Sequence, residues 1–132
     1  MKIFMEENGR KDRERKVMYS TSLPKGLKVA LEEAATNLHR KKADWIRTAL
    51  NLFLGLPEKE QELLILSTYN KMEKSQLRPF TTTLTESQLA SLNSLSKGLK
   101  RSKVEIFRAA VFNFLSKSTP EQERIIKKSI SH

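Results

Sequence analysis

The sequence predicts a mainly helical fold with one two-stranded antiparallel β-ribbon, made by two tandem copies of a strand-helix-helix unit that complete each other as a single-chain pseudo-dimer. Three observations predict it. The chain repeats itself: a shift of 61 places superimposes Thr21 on Thr82, Leu23 on Leu84, Leu31 on Leu92, Leu38 on Leu99, Arg47 on Arg108 and Phe53 on Phe114, and a repeat governs the reading of the whole fold. Each copy opens on a short alternating stretch and continues with two stretches of helical apolar spacing. One strand and two helices leave both strand edges unpaired and a core too thin to stand alone, so the second copy must supply the partner.

In the first copy Val17, Tyr19, Thr21 and Leu23 alternate with Lys16, Met18, Ser20 and Ser22; in the second, Phe80, Thr82 and Leu84 alternate with Pro79, Thr81 and Thr83. Side chains of a strand alternate faces, so the first set of each copy is expected on a core and the second outside. Pro79 cannot donate to a ladder and suits a strand's start or an edge. A helix follows, entered through Pro24 or through Thr85, where Thr85 and Gln88 have capping-box spacing. Its expected apolar stripe is Leu27, Leu31, Ala34, Ala35 and Leu38 in one copy and Leu89, Leu92, Leu95 and Leu99 in the other. Asn37 and Gly98 both tolerate left-handed geometry, which places the helix ends near them.

A short basic turn comes next, Arg40-Lys41-Lys42 or Lys100-Arg101-Ser102-Lys103. The second helix then turns Ile46, Ala49, Leu50, Phe53 and Leu54 inward, or Ile106, Phe107, Ala110, Val111, Phe114 and Leu115, with Ser102 and Glu105 as a capping box. Pro57 starts a third helical stretch whose expected apolar positions are Leu63, Leu64, Leu66, Tyr69 and Met72. About 15 helical residues span roughly 22 Å, enough to carry the chain back to the next strand. A two-residue slip aligns the run from Leu56 with the run from Thr119, so the C-terminus repeats only the start of this helix. The expected divisions are a basic arm over 1–14, a first unit over 15–56, a linking helix over 57–77, a second unit over 78–118 and a short helical tail over 119–132, with both units forming one body.

Twenty-five Lys and Arg against fifteen Asp and Glu leave a net charge of +10, which favours polyanionic partners. No apolar run approaches the roughly 20 residues of a membrane span, and the N-terminal stretch has no apolar signal core. The expected location is the cytoplasm, on the nucleoid. The absence of cysteine excludes disulfides and thiolate metal sites. His39 and His132 are isolated, and no nucleophile motif or glycine-rich phosphate loop is present, so no catalytic, metal or cofactor site is expected. Trp45, Phe53, Phe107 and Phe114 have helical spacing and are expected in the core.

The run Arg101-Ser102-Lys103-Val104-Glu105-Ile106-Phe107-Arg108-Ala109-Ala110-Val111, with Phe114 and Leu115, resembles the second helix of the ribbon-helix-helix (MetJ/Arc/CopG-type) DNA-binding proteins. The run Thr81-Thr82-Thr83-Leu84-Thr85-Glu86 resembles their strand and first cap, and the first copy follows the same pattern more loosely. The resemblance implies a ribbon laid in the major groove of double-stranded DNA, whose donor and acceptor pattern distinguishes every base pair. It assigns base reading to the outward strand residues, Met18, Ser20, Ser22, Pro79, Thr81 and Thr83, with Lys16 and Arg78 near enough to assist although Arg78 has inward parity. It assigns phosphate contacts to the second-helix N-termini, Lys41 and Lys42 in one copy and Ser102 and Lys103 in the other, with Arg40 and Arg101 beside them.

Three departures from the family pattern stand out. Met18 and Pro79 occupy the strand position where a basic reader is frequent, His39 and Lys100 replace the usual glycine between the helices, and Lys41 replaces the capping serine. The implied function is sequence-specific DNA binding as a transcriptional repressor or regulator, with several pseudo-dimers on adjacent half-sites. Tandem units also occur in relaxosome accessory proteins that bend DNA at a conjugative transfer origin. A third role in this family, that of an antitoxin whose disordered tail blocks a toxin, is less expected, since the residues from 119 to 132 read as short and helical.

Overall fold

Alternating burial over Lys16–Pro24 (β1) and Leu77–Thr85 (β2) marks two strands with one covered face each, and they pair antiparallel as the only sheet among the described residues. The computed structural model describes residues 14–72 and 76–130. The expected arm over 1–14 therefore lies outside the described residues except for Glu14. Six helices complete the described chain: Lys25–Asn37 (α1), Lys42–Leu54 (α2), Glu58–Met72 (α3), Glu86–Leu99 (α4), Lys103–Leu115 (α5) and Thr119–Ile130 (α6). The fold is mainly helical with one antiparallel ribbon. No helix among the described residues is long and apolar enough to cross a membrane.

The ribbon is centred on Ser20 opposite Thr81, two positions 61 residues apart, and the register runs symmetrically outward from them. Lys16 faces Thr85 at one end and Pro24 faces Leu77 at the other. Beyond the ladder the Glu86 amide donates to the Arg15 carbonyl at 3.1 Å and the Lys25 amide to the Gln76 carbonyl at 2.6 Å, so each helix start is tied to the end of the opposite strand. Val17, Tyr19, Thr21 and Leu23 share the inner face with Phe80, Thr82 and Leu84, as the alternation predicts.

Thr85 caps α4, accepting from the Gln88 amide while the Gln88 side chain accepts from the Thr85 amide. Pro24 gives α1 no side-chain cap. Gln88 is itself buried, donating to the Arg47 carbonyl and to Asn51 Oδ1, so the inward stripe of α4 starts one position before the predicted Leu89. The two helices end at Asn37 and Leu99, near the expected positions, but the residues that take the left-handed conformation differ. Asn37 and Gly98 remain helical, and the left-handed residues are His39 and Lys100, each with φ of 57°. The Arg40 amide then reaches back to the Ala35 carbonyl and the Arg101 amide to the Ser96 carbonyl, a Schellman closure that uses up orphan carbonyls.

One core runs through both copies. It includes Leu23, Leu31, Trp45, Ile46, Leu50 and Phe53 from the first and Leu84, Leu92, Ile106, Phe107 and Phe114 from the second. Tyr19 and Phe80 pack on Phe107 with ring centroids 5.4 Å and 6.3 Å away, and Trp45 packs on Phe114 at 4.8 Å. Trp45 is fully buried without an unpaired polar group, because its indole donates to Gln122 Oε1 at 3.1 Å.

The third helices correct the sequence expectation twice. Gln61, Ile65 and Thr68 face inward on α3, whereas Leu63, Leu66 and Tyr69 are 63%, 45% and 58% exposed. Two of these inward residues are polar, which hides the true face from an apolar count. Gln61 donates to the Phe53 carbonyl at the end of α2, and Gln122 donates to the Lys117 carbonyl just after α5. Gln61 with Gln122 and Ile65 with Ile126 keep the 61-residue spacing, so no two-residue slip separates the copies. The slip follows an exposed Pro-Glu similarity; burial follows the unbroken repeat.

Candidate nucleic-acid interface

The outer face of the ribbon is built from whole rungs, because residues opposite each other in a ladder share a face. Its central rungs are Met18 with Thr83, Ser20 with Thr81, and Ser22 with Pro79, flanked by Lys16 with Thr85. Met18 is 74% exposed, and Lys16, Ser20, Pro79 and Thr81 are exposed as well. The Ser20 and Thr81 hydroxyls are 3.1 Å apart and hydrogen-bonded to each other across the centre. Apart from Met18 and Pro79, the middle of this surface is small hydroxyls.

Ser22 and Thr83 are half-buried, and each is gripped by an arginine from a second helix of the other copy. Arg47 donates from one nitrogen to the Thr83 carbonyl at 3.2 Å and to the Thr83 hydroxyl at 2.8 Å, while its other terminal nitrogen pairs with Asp44 at 2.7 Å. Arg108 donates to the Ser22 carbonyl at 3.1 Å and to the Ser22 hydroxyl at 2.9 Å. Both carbonyls lie on free edges of the ribbon, where a backbone acceptor lacks a ladder partner. Burial pulls the Arg108 guanidinium below its ordinary pKa, and Glu105 opposes the shift. The strand pattern gives no role to this arginine pair. The signal in the sequence is a cation at the same place in two otherwise inward-facing helices.

Arg78 does not join the outer face. It stands opposite Leu23 on the inner parity, and its guanidinium turns back to the Leu77 carbonyl and the Gln76 side chain. The ladder is intact to Leu77, so nothing frees it to turn outward. Arg40 is likewise drawn away from the turn, paired with Glu123 of α6 at 3.2 Å with only a quarter of its side chain exposed. Its copy Arg101 stays by the turn, 3.9 Å from Glu105.

The second-helix N-termini differ between the copies. Ser102 caps α5, accepting from the Glu105 amide at 3.1 Å while its own amide donates to the Glu105 carboxylate at 3.0 Å. Lys41 gives α2 no side-chain cap. Lys41 and Lys103 are exposed with no ion-pair partner among the described residues, and Lys42 pairs loosely with Glu32 at 3.3 Å. Arg47, five residues along α2 from Lys42, touches Thr83, and five residues of helix rise roughly 7.5 Å. Each cationic helix start thus lies about one and a half turns before the arginine that holds a ribbon edge. Both lysine-bearing ends offer unpaired amides and the positive end of a helix dipole. No group of three metal-ligating side chains occurs among the described residues. Comparisons with protein families, curated proteins and solved structures find no match to this chain.

Proposed function

We propose that this chain is a sequence-specific double-stranded DNA-binding protein, a tandem ribbon-helix-helix pseudo-dimer that lays its ribbon in the major groove and acts as a transcriptional regulator. The observation that carries the reading is the ribbon itself: an exposed, hydroxyl-bearing face with a register symmetric about Ser20 and Thr81, flanked by cationic helix starts. A two-stranded ribbon fits the width of the major groove, and hydroxyls there meet base edges while lysines and helix amides meet phosphates. The reciprocal grips of Arg47 on Thr83 and Arg108 on Ser22 support the pseudo-twofold arrangement, since each copy holds the other's strand. The net charge of +10 supports a polyanionic partner.

The test is footprinting on DNA flanking the chain's own gene, followed by affinity measurements across salt concentrations. Removing the Thr81 and Thr83 hydroxyls is expected to relax sequence preference more than affinity. Replacing Lys41, Lys42 and Lys103 with Gln is expected to do the reverse, lowering affinity on all sequences and reducing the log-log salt slope by about 0.9 for each phosphate no longer neutralised. Equal affinity for unrelated duplexes would reduce the ribbon to a nonspecific basic surface.

A further inference from the structure

A serine or threonine hydroxyl has one hydrogen to donate and two lone pairs to accept with, so alone in a groove it reads acceptors and donors alike. The outer face of this ribbon treats its hydroxyls unequally. At the centre, Ser20 and Thr81 bond each other at 3.1 Å and either can be the donor. Reversing that bond reverses which hydroxyl has a free hydrogen, so the central pair adapts to whatever edge it meets. At the ends, Thr83 and Ser22 each accept from a guanidinium, at 2.8 Å from Arg47 and 2.9 Å from Arg108. A guanidinium only donates, so the direction of these bonds cannot reverse.

We infer that Arg47 and Arg108 are positioning residues that set the hydrogen-bond polarity of the ribbon, turning the Thr83 and Ser22 hydroxyls into donors that select a guanine edge at each end of the recognised site. The inference rests on the groove-binding reading above. An arginine occupies one lone pair of each hydroxyl and leaves its hydrogen for the groove, and the cation behind the oxygen disfavours a second incoming donor. Guanine presents two adjacent acceptors, N7 and O6, and no donor; thymine presents a single acceptor, O4, beside a methyl group, adenine mixes N7 with an amino group, and cytosine presents a donor. Guanine is the edge that a fixed donor in front of a cation matches best.

The grip also fixes where the hydroxyls sit. Each arginine bonds the carbonyl and the hydroxyl of one residue, so the side-chain rotamer is set relative to the backbone. Arg47 is held in turn by Asp44, and its side chain is only 17% exposed, so it is committed to the ribbon and not free to swing to a phosphate. The reading residues act at the base; the arginines act through them.

The experiment uses the full chain. The wild type selects its site from a randomised duplex pool, and affinities are then measured for sites in which each guanine is replaced by 7-deazaguanine, which lacks N7, or by 2-aminopurine paired with thymine, which lacks O6. The wild type is expected to enrich guanine at one position in each half and to lose about fivefold at each on one of the two replacements, the low end of discrimination by a good base contact. Thr83→Val removes the penalty at one position and Ser22→Ala at the other, while Ser20→Ala and Thr81→Val leave both. Arg47→Gln is expected to remove the penalty at the Thr83 position, and Arg47→Lys, which keeps a donor, to restore part of it.

Three results overturn the inference and leave groove binding standing. One is a site without paired guanines. Another is an analogue penalty that survives Thr83→Val, a variant that retains the Arg47 bond to the carbonyl. The third is an Arg47→Gln chain, folded by circular dichroism, that loses affinity uniformly with the guanine penalty unchanged. A wild type that binds every duplex equally overturns the groove reading itself and this inference with it.

Discussion

His39 and Lys100 hold the left-handed conformation that closes the first helix of each copy, and neither is a glycine. A side chain with a Cβ pays roughly 1–2 kcal/mol for that conformation. The Schellman bonds from Arg40 and Arg101 and the packing beneath them keep it in place. His39→Gly and Lys100→Gly are each expected to raise stability by about 0.5–1 kcal/mol, the strain relieved less the added freedom of the unfolded chain, read as a shift in denaturant midpoint. The family resemblance points at these two positions by the glycine they replace, but helix-end preferences in the sequence point two residues earlier, to Asn37 and Gly98. Local propensity misplaces the left-handed residue by two positions, because Leu38 and Leu99 pack on the core and the Schellman bonds close after them.

Among the elements, α2 and α5 are copies with different starts, one without a side-chain cap at Lys41 and one capped by Ser102 with Glu105. Lys41→Ser is expected to stabilise the chain by about 0.5–1 kcal/mol, checked by thermal melting, because a serine at this position bonds an otherwise orphan amide. The same substitution removes a lysine from the proposed phosphate contacts, so its affinity for DNA is expected to fall as its stability rises. The face of α3 invites a second comparison. Ile65→Ala is expected to cost about 2–4 kcal/mol in chemical denaturation, since Ile65 is fully buried, while Leu63→Ser and Leu66→Ser cost under about 0.5 kcal/mol each. Equal costs would return the inward face to the leucines.

At the scale of the whole molecule, the two copies share one core and one ribbon within a single chain. The melting temperature is therefore expected to stay constant across a wide range of protein concentration, where an obligate homodimer would melt higher as concentration rises. A strong dependence would mean that a second chain completes the fold. The two copies have the same order of elements but differ in chemistry: Met18 stands where the other copy has Pro79, and Lys41 where it has Ser102. The site selected from a random pool is accordingly expected to have unequal halves.

The sequence by itself determined the repeat, the alternation of both strands, the inward residues of the second helices and the excess of positive charge. Each is a local period or a sum over the chain, legible without knowing what lies opposite. Only the tertiary structure decided that Ser20 meets Thr81, that Gln61 and Gln122 are buried, that Arg78 and Arg40 are engaged elsewhere, and that Arg47 and Arg108 hold the ribbon's ends. A buried polar side chain or a long cation takes its place from a partner far along the chain, and periodicity carries no record of that partner.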